Sequence, residues 1–140
     1  MFAVIRVRGS VNVRRDVKDT MKMMRLTRTN QCVLLPENPT NKGMLMLSKD
    51  FITWGEIENP VLDKLVLKRG RLPNEKRVEE KDLKNLVQIV LKEGTKKSGL
   101  NPVFKLHPPS KGYRNTKQPF PKGDLGYRAQ KINEILERMI

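Results

Sequence analysis

Lysine and arginine are the side chains of this sequence with the clearest chemistry, because they outnumber the acidic residues 29 to 15. The resulting net charge of +14 repels itself unless a polyanion lies against the chain. Nucleic acid, an anionic membrane surface or an acidic protein could each supply the opposite charge. Arginine binds phosphate through a planar fork and lysine through a mobile point charge, so groups of both predict a phosphate-binding surface.

The basic residues fall into three groups along the chain. The first lies on and around a predicted helix that starts near residue 14, the second follows a predicted helix that ends near residue 70, and the third lies further on. A single exposed lysine is equally well explained as a solvated charge, so the groups are stronger predictions than their members. The residues predicted to bind a nucleic acid, if that is the polyanion, are Arg6, Arg8, Arg14, Arg15, Lys18, Lys22, Arg25, Arg28, Lys42, Lys68, Arg69, Arg71, Lys105, Lys111, Tyr113, Arg114, Lys117 and Lys122.

Residues 95–123 contain the third group and are predicted to form a basic arm. They hold seven cations, no acidic residue and five prolines. Because proline lacks a backbone donor and fixes its own φ, we expect an irregular extended path and not a helix. Tyr113 lacks an apolar periodic context and is the predicted base-stacking residue. The alternative is a flexible solvated tail, against which the interleaved Phe104, Leu106 and Phe120 argue.

No residue pattern predicts catalysis or a metal site. Cys32 and His107 are the only cysteine and histidine, so neither an internal disulfide nor a Cys/His metal cluster can be assembled. The carboxylates are scattered without a paired acid and base, and the methionines recur at helical spacing typical of core packing. We therefore predict a protein that is not an enzyme and has no cofactor, no metal and no small-molecule substrate.

No segment predicts a membrane span or a secretory signal. Every uninterrupted apolar run is far shorter than the ~18 residues that a spanning helix needs, and Arg6 and Arg8 interrupt the apolar start. We therefore expect a soluble, intracellular chain with no membrane partner. Its single cysteine fits the reducing cytoplasm.

The first part of the chain predicts a β-α-β-α-β unit that positions the first basic group. Alternation over residues 2–8 and an apolar run at 31–35 predict two strands, and residues 51–57 predict a third. Apolar side chains at helical spacing predict one helix after each of the first two strands. Both helices are expected to cover one face of a three-stranded sheet, with the other face open. The predicted fold class is α+β, a ferredoxin-like fragment.

Residues 59–140 predict a helical extension of this unit. Apolar residues at helical spacing predict three further helices near 60–70, 83–91 and 132–139. The extension holds too few large apolar residues to fold independently, so we expect it to pack on the first part. The predicted organisation is an RNA-binding domain at 1–58, followed by this extension with its irregular basic arm.

Several short segments match the pattern of a known family. They are AVIRVRGS at 3–10, RLTRTNQCV at 25–33, GMLMLSKDFITWGEI at 43–57, LVLKRGRL at 65–72, VFKLHPPSKG at 103–112 and GDLGYRAQKINEILERMI at 123–140. In this order they resemble the L-thirty family of large-subunit ribosomal proteins, whose eukaryotic counterpart is L-seven. Bacterial members resemble only the part up to about Ile57, and no long basic extension precedes Met1, so the resemblance is to the archaeal type.

The resemblance implies a structural constituent of the large (50S) subunit that binds and stabilises ribosomal RNA during translation and subunit assembly. It implies a cytoplasmic location in the ribosome, with large-subunit ribosomal RNA, 5S RNA and neighbouring ribosomal proteins as partners. Charge alone leaves open an architectural nucleic-acid-binding protein outside the ribosome, although no helix-turn-helix, zinc-finger or basic-zipper pattern is present. An RNA-processing enzyme is the third class, and the scattered carboxylates argue against it.

Overall fold

Strands and helices alternate through the first half of the chain, and helices with two short strands follow. The computed structural model describes residues 1–95 and 98–140. The strands are β1 (Phe2–Arg6), β2 (Gln31–Leu35), β3 (Ile52–Glu56), β4 (Val103–Lys105) and β5 (Gly126–Tyr127). The helices are α1 (Arg15–Met23), α2 (Pro39–Leu47), α3 (Asn59–Arg69), α4 (Glu80–Glu93) and α5 (Ile132–Met139), with a 3-10 turn at Ala129–Lys131. The predicted α+β class and the β-α-β-α-β order are confirmed.

The sheet has five strands in the order β4-β2-β1-β3-β5. Its centre is β1, which pairs antiparallel with β2 and β3 so that Val4 lies opposite both Val33 and Trp54. At the edges, β4 runs antiparallel to β2 and β5 runs parallel to β3. The three predicted strands are therefore the middle of a wider sheet, whose two edge strands come from the predicted extension.

One face of the sheet is covered by α1 and α2, as predicted. Val4 and Trp54 of the sheet pack with Met21 of α1 and Leu45 of α2 in one buried cluster. In α1 the buried residues are Val17, Thr20 and Met21, one stripe of the helix. The opposite side of α1 is exposed, and it carries the first basic group.

The other face of the sheet is covered by α3, α4 and α5, so the prediction that it is open is wrong. Ile5 and Cys32 of this face share a buried cluster with Leu65 of α3, Val90 of α4 and Leu136 of α5. Burial raises the pKa of the Cys32 thiol to about 12, which makes it an inert apolar group. The helices of the extension thus complete the core of the first part.

The basic arm is joined to the body by β4. Phe104 lies opposite Cys32 of β2 and is fully buried, and Leu100 and Leu106 are buried beside it. The predicted irregular path therefore does not hold at β4, and each of these three residues buries an apolar side chain under the helices of the extension. The main chain of His107 then donates to the Met139 carbonyl at 3.1 Å, which holds the arm against the end of α5.

Candidate nucleic-acid interface

The exposed side of α1 carries the first predicted basic group. Arg14, Arg15, Lys18 and Lys22 all point away from the core and are exposed. Both arginines pair with nearby carboxylates, since Arg14 reaches Asp16 at 3.1 Å and Arg15 reaches Asp19 at 3.8 Å. Both pairs are largely solvated, and exposed pairs of this kind contribute only about 0–1 kcal/mol. The two arginines therefore remain available to phosphate.

Arg28 lies in the loop between α1 and β2, which is held in shape by hydrogen bonds. The side-chain oxygen of Gln31 accepts hydrogen bonds from the backbone N–H groups of Thr27 and Arg28, both at 2.9 Å. Asn30 adopts a φ of +60° and its carbonyl accepts a bond from the Leu106 N–H at 3.0 Å. The loop is thus fixed to the arm just after β4, with the Arg28 side chain exposed.

The strand β4 brings together cations that are far apart in the sequence. Exposed Lys105 lines two neighbouring hollows of the surface, one shared with Arg28 and the other with Arg69 and Arg71. The hollow with Arg28 has a volume of about 350 Å³ and the hollow with the two arginines about 540 Å³. We call this region, defined by Arg28, Arg69, Arg71, Lys105 and His107, the β4 surface. Clustered cations of this kind attract a phosphate backbone chiefly by displacing its counterions.

Arg69 is the most constrained cation of the β4 surface. It ends α3 and is half-buried, and its Nη2 donates to the Ile140 carbonyl oxygen at 2.7 Å. Its Nε is buried and finds no hydrogen-bond partner among the described residues. Arg69 therefore lines the hollow with a guanidinium that is held in place by its bond to Ile140.

The far end of the arm carries further exposed cations on a closed loop. The carboxylate of Asp124 accepts the Arg114 N–H at 2.5 Å and pairs with the buried guanidinium of Arg128 at 2.8 Å. This closure holds residues 114–124 as a loop and leaves Lys117 and Lys122 exposed. Lys111, before the loop, is also exposed, and Arg138 binds the carbonyls around it.

Arg6 does not belong to the interface, which corrects its prediction as an RNA-binding residue. The side chain is 2 % exposed. Its guanidinium donates to the carbonyls of Arg8 and Leu26, at 2.9 and 2.7 Å, and to the Ser10 hydroxyl at 2.5 Å. With these bonds made inside the fold, Arg6 ties the end of β1 to the loops beside it and cannot reach phosphate.

Tyr113 is also corrected, because its ring is not free to stack on a base. It is half-buried, packs against the core under α5, and its hydroxyl donates to Asn30 Oδ1 at 2.9 Å. Burial, together with the charge of Asp124, raises its pKa to about 12. Tyr113 therefore fastens the arm to the loop that carries Arg28.

Four other predicted residues lie at the margins of the basic regions. Arg8 is half-buried with its guanidinium 5.0 Å from the centre of the Phe51 ring, so it is partly committed to the protein. Lys42 on α2 and Lys68 on α3 are exposed. Arg25 is exposed at the end of α1, where its φ is +62°.

Sequence reasoning missed the residues that shape the interface without contributing charge. Gln31 organises the Arg28 loop, and the Asp124–Arg128 pair closes the loop of the arm. A spacing of four between opposite charges in Asp124 and Arg128 was the only signal, and it is common on any surface. His107, considered in the sequence only as a catalytic or metal-binding group, lines the same hollow as Arg69.

The described residues contain no group of three or more metal-ligating side chains. Within the same residues, no helix combines the length and the apolar character needed to cross a bilayer. What the fold offers is a sheet between two helical layers with several exposed basic regions. Exposed basic regions on a small fold of this kind are typical of proteins that bind nucleic acid.

Comparison with known proteins identifies the family. The family model described as "Ribosomal protein L30p/L7e" matches residues 2–52. The chain is similar to "Large ribosomal subunit protein uL30" of Methanosphaera stadtmanae, with 46% identity and full coverage of both chains. The proteins of the same name from Methanococcus vannielii and Archaeoglobus fulgidus are 47% and 38% identical, each with 99% of both chains covered.

The chain belongs to the ribosomal protein L30p/L7e family and is of the archaeal type. This membership confirms the predicted resemblance and makes the chain a structural constituent of the large ribosomal subunit, in the cytoplasm. It also confirms that the chain is not an enzyme.

Proposed function

We propose that the chain binds and stabilises ribosomal RNA in the large subunit, during translation and during subunit assembly. The observation that carries the proposal is the β4 surface, where Arg28, Lys105 and the pair Arg69 and Arg71 meet from three distant parts of the sequence. Like charges gathered in this way repel one another unless a polyanion lies against them. Large-subunit ribosomal RNA is the polyanion that the family supplies.

The proposed interface extends beyond the β4 surface to the other exposed cations. It includes the exposed side of α1 and the loop at the far end of the arm, while Arg6 and Tyr113 are left out. The proposed RNA-binding residues are Arg8, Arg14, Arg15, Lys18, Lys22, Arg25, Arg28, Lys42, Lys68, Arg69, Arg71, Lys105, Lys111, Arg114, Lys117 and Lys122.

Partners and organisation are part of the same proposal. We include 5S RNA and neighbouring ribosomal proteins as partners, which the family resemblance supports. The division into an RNA-binding domain at 1–58 and an extension at 59–140 stays a prediction. In this arrangement the extension supplies Lys105, Arg69 and Arg71 to the interface, so RNA binding is shared between both parts.

A binding experiment with full-length protein tests the proposal. Affinity is measured by filter binding for large-subunit ribosomal RNA, for 5S RNA and for duplex DNA of matched length at one fixed salt concentration. The proposal expects both RNAs to bind more tightly than DNA, because folded RNA presents phosphates in the irregular arrangement that scattered cations fit. Equal affinity for all three would favour a general nucleic-acid-binding protein that works outside the ribosome.

A result in which only 5S RNA fails to bind would contradict only the part of the proposal that concerns 5S RNA. If large-subunit ribosomal RNA binds tightly and 5S RNA binds no better than DNA, then 5S RNA is removed from the partners and the rest of the proposal stands. Co-migration with the large subunit through a sucrose gradient at high salt gives an independent check, since a protein held only by general charge attraction dissociates there.

A further inference from the structure

The larger hollow of the β4 surface is a cleft and not a flat patch. Its volume of about 540 Å³ lies in the range of clefts that hold a small ligand, about 300–1,000 Å³. Arg69, Arg71 and Glu75 line it from one side of the sequence, and five residues from the arm complete it. These five are Asn101, Val103, Lys105, Leu106 and His107.

The cleft is held in shape by backbone hydrogen bonds. The N–H of Asn101 donates to the Arg71 carbonyl at 2.8 Å, which fastens the arm to the turn after α3. Within that turn, Leu72 and Glu75 are joined by a bond of 2.9 Å. On the other side, His107 is tied to Met139 of α5. A cleft built on such bonds is already formed before a ligand binds, so little ordering cost opposes binding.

The cationic side of the cleft is suited to one phosphate group. Arg69 is oriented by its bond to the Ile140 carbonyl, and its buried Nε lacks an acceptor among the described residues. The same is true of the Nε of Arg128, but that guanidinium lies 5.2 Å from the centre of the Phe120 ring, whose π electrons face it. Arg69, Arg71 and Lys105 all line the cleft, so their three positive charges can together neutralise one phosphate group.

The other residues that line the cleft could bind the ribose and the base of a nucleotide as well as its phosphate. Glu75 places a carboxylate in the cleft, and a carboxylate repels phosphate but accepts hydrogen bonds from ribose hydroxyls and base amino groups. The Asn101 Oδ1 already accepts the Val103 N–H at 3.1 Å, so Asn101 offers chiefly its amide donors. The exposed ring of His107 can stack on a base. Val103 and Leu106 give the cleft an apolar portion for the face of that base.

We propose that this cleft binds one unstacked nucleotide of the RNA. Its phosphate lies at Arg69, Arg71 and Lys105, and its ribose and base lie among Glu75, Asn101 and His107. The inference rests on the proposed RNA-binding function and names the form of RNA that this part of the interface selects. A double helix keeps its bases paired inside, so it can offer the cleft only phosphates.

Nuclear magnetic resonance of the full chain tests the cleft directly, because His107 is the only histidine and its ring signals need no assignment. Three probes are titrated separately: a single-stranded hexaribonucleotide, a blunt RNA duplex containing the same sequence, and inorganic phosphate. We expect the single strand to move the His107 signals at a concentration at least tenfold below that required by the other two. Equal movement with duplex or with phosphate would overturn the proposal, as would no movement with any probe.

Two sets of variants distinguish the cleft from general charge attraction. Replacing Arg69→Gln and Lys105→Gln together should abolish the His107 shift, whereas the matched pair Lys81→Gln and Lys84→Gln, which are exposed on α4 outside the proposed interface, should leave it in place. Circular dichroism shows whether each variant is folded, and Glu75→Gln, on an exposed turn, provides a second variant that should alter the preference between bases. A His107 shift that survives loss of Arg69 and Lys105 would contradict the cleft as the site.

The outcome for the cleft is separable from the outcome for the proposed function. If wild-type protein binds large-subunit ribosomal RNA on filters while the hexaribonucleotide does not shift the His107 ring signals, only the proposal of a nucleotide cleft is wrong. If the wild-type protein fails to bind that RNA at all, the proposed function fails, whatever the hexaribonucleotide does.

Discussion

Burial decides which of the predicted RNA-binding residues can act. Arg6 and Tyr113 were predicted from charge, aromatic character and local context, and both turn inward to fasten loops. Their hydrogen-bond acceptors, Leu26 and Asn30, lie 20 and 83 residues away in the sequence. No local pattern reports such distant contacts. By contrast, the pairing of Arg14 with Asp16 could be predicted because it depends only on neighbours.

The first prediction at the scale of single residues concerns the ionisation of Tyr113. Burial raises its pKa to about 12, whereas an unfolded tyrosine ionises at about 10. The neutral phenol therefore stabilises the fold fully below about pH 10, and this stabilisation is lost as the pH rises through about 12. In a Tyr127→Phe variant, Tyr113 is the only tyrosine, so near-ultraviolet absorbance of phenolate measures it alone. A midpoint near 10 in the folded protein would contradict the burial of this ring.

The second prediction concerns the buried pair of Asp124 and Arg128. Replacing Asp124→Asn leaves the Arg128 guanidinium buried and unpaired, so we expect the free energy of unfolding to fall by about 3 kcal/mol. Urea denaturation measures the change. The matched control is Asp19→Asn, which breaks the exposed pair with Arg15 and should cost less than about 1 kcal/mol. Similar losses for both variants would mean that the Asp124 pair does not close the arm.

At the scale of elements, the apolar residues of the central strands indicate burial on both faces of the sheet, which the alternation of residues 2–8 alone does not show. All five residues of β1 are buried, and β2 is the apolar run QCVLL. A continuous apolar run is typical of a strand covered on both faces. The second helical layer could therefore have been predicted from these strands. The edge strands β4 and β5 left none, since three and two residues become strands only by pairing with a distant partner.

The prediction at this scale tests the contact between β3 and the start of α5. Gly55 of β3 lies directly under the 3-10 turn, and a Cβ at this position would collide with the Ala129 carbonyl oxygen. We expect Gly55→Ala to displace that turn and to lower the free energy of unfolding by about 1–3 kcal/mol. Gly9→Ala is the control, because nothing lies within 4 Å of the added carbon. Equal thermal stability of the two variants would show that the turn is not packed on β3.

At the scale of the whole molecule, the two parts of the chain share one sheet and its cores. The family model covers residues 2–52, yet Ala3, Ile5, Cys32 and Leu34 bury one face of this region against helices of the extension. A fragment of residues 1–58 would expose that apolar face. We therefore expect it to bind a hydrophobic dye and to unfold without a cooperative transition, whereas the full chain unfolds cooperatively. A cooperative, dye-free fragment would show that the first part folds alone.

The family of this protein was easier to predict from the sequence than the position of the β4 surface. Net charge and the resemblance of ordered segments are properties of the entire chain. The charge predicted a polyanionic partner, and the resemblance predicted the ribosomal family, before any contact was known. The β4 surface depends on β4 bringing Lys105 between Arg28 and Arg71. That arrangement exists only in the folded molecule, so the sequence could predict the cations but not their meeting point.

The central claim is that the β4 surface contacts ribosomal RNA. The most direct test compares how affinity for large-subunit ribosomal RNA depends on salt in the wild type and in a variant with Arg28, Arg69, Arg71 and Lys105 replaced by glutamine. Each lost phosphate contact removes about 0.7–0.9 from the slope of log affinity against log salt.

The control replaces Lys49, Lys64, Lys81 and Lys84, which are also exposed, and removes the same charge from elsewhere on the surface. We predict that the slope of the β4-surface variant falls by about 3 units while the control stays close to the wild type. Equal slopes for the two variants would contradict the claim, because RNA binding would then rest on net charge and not on the β4 surface.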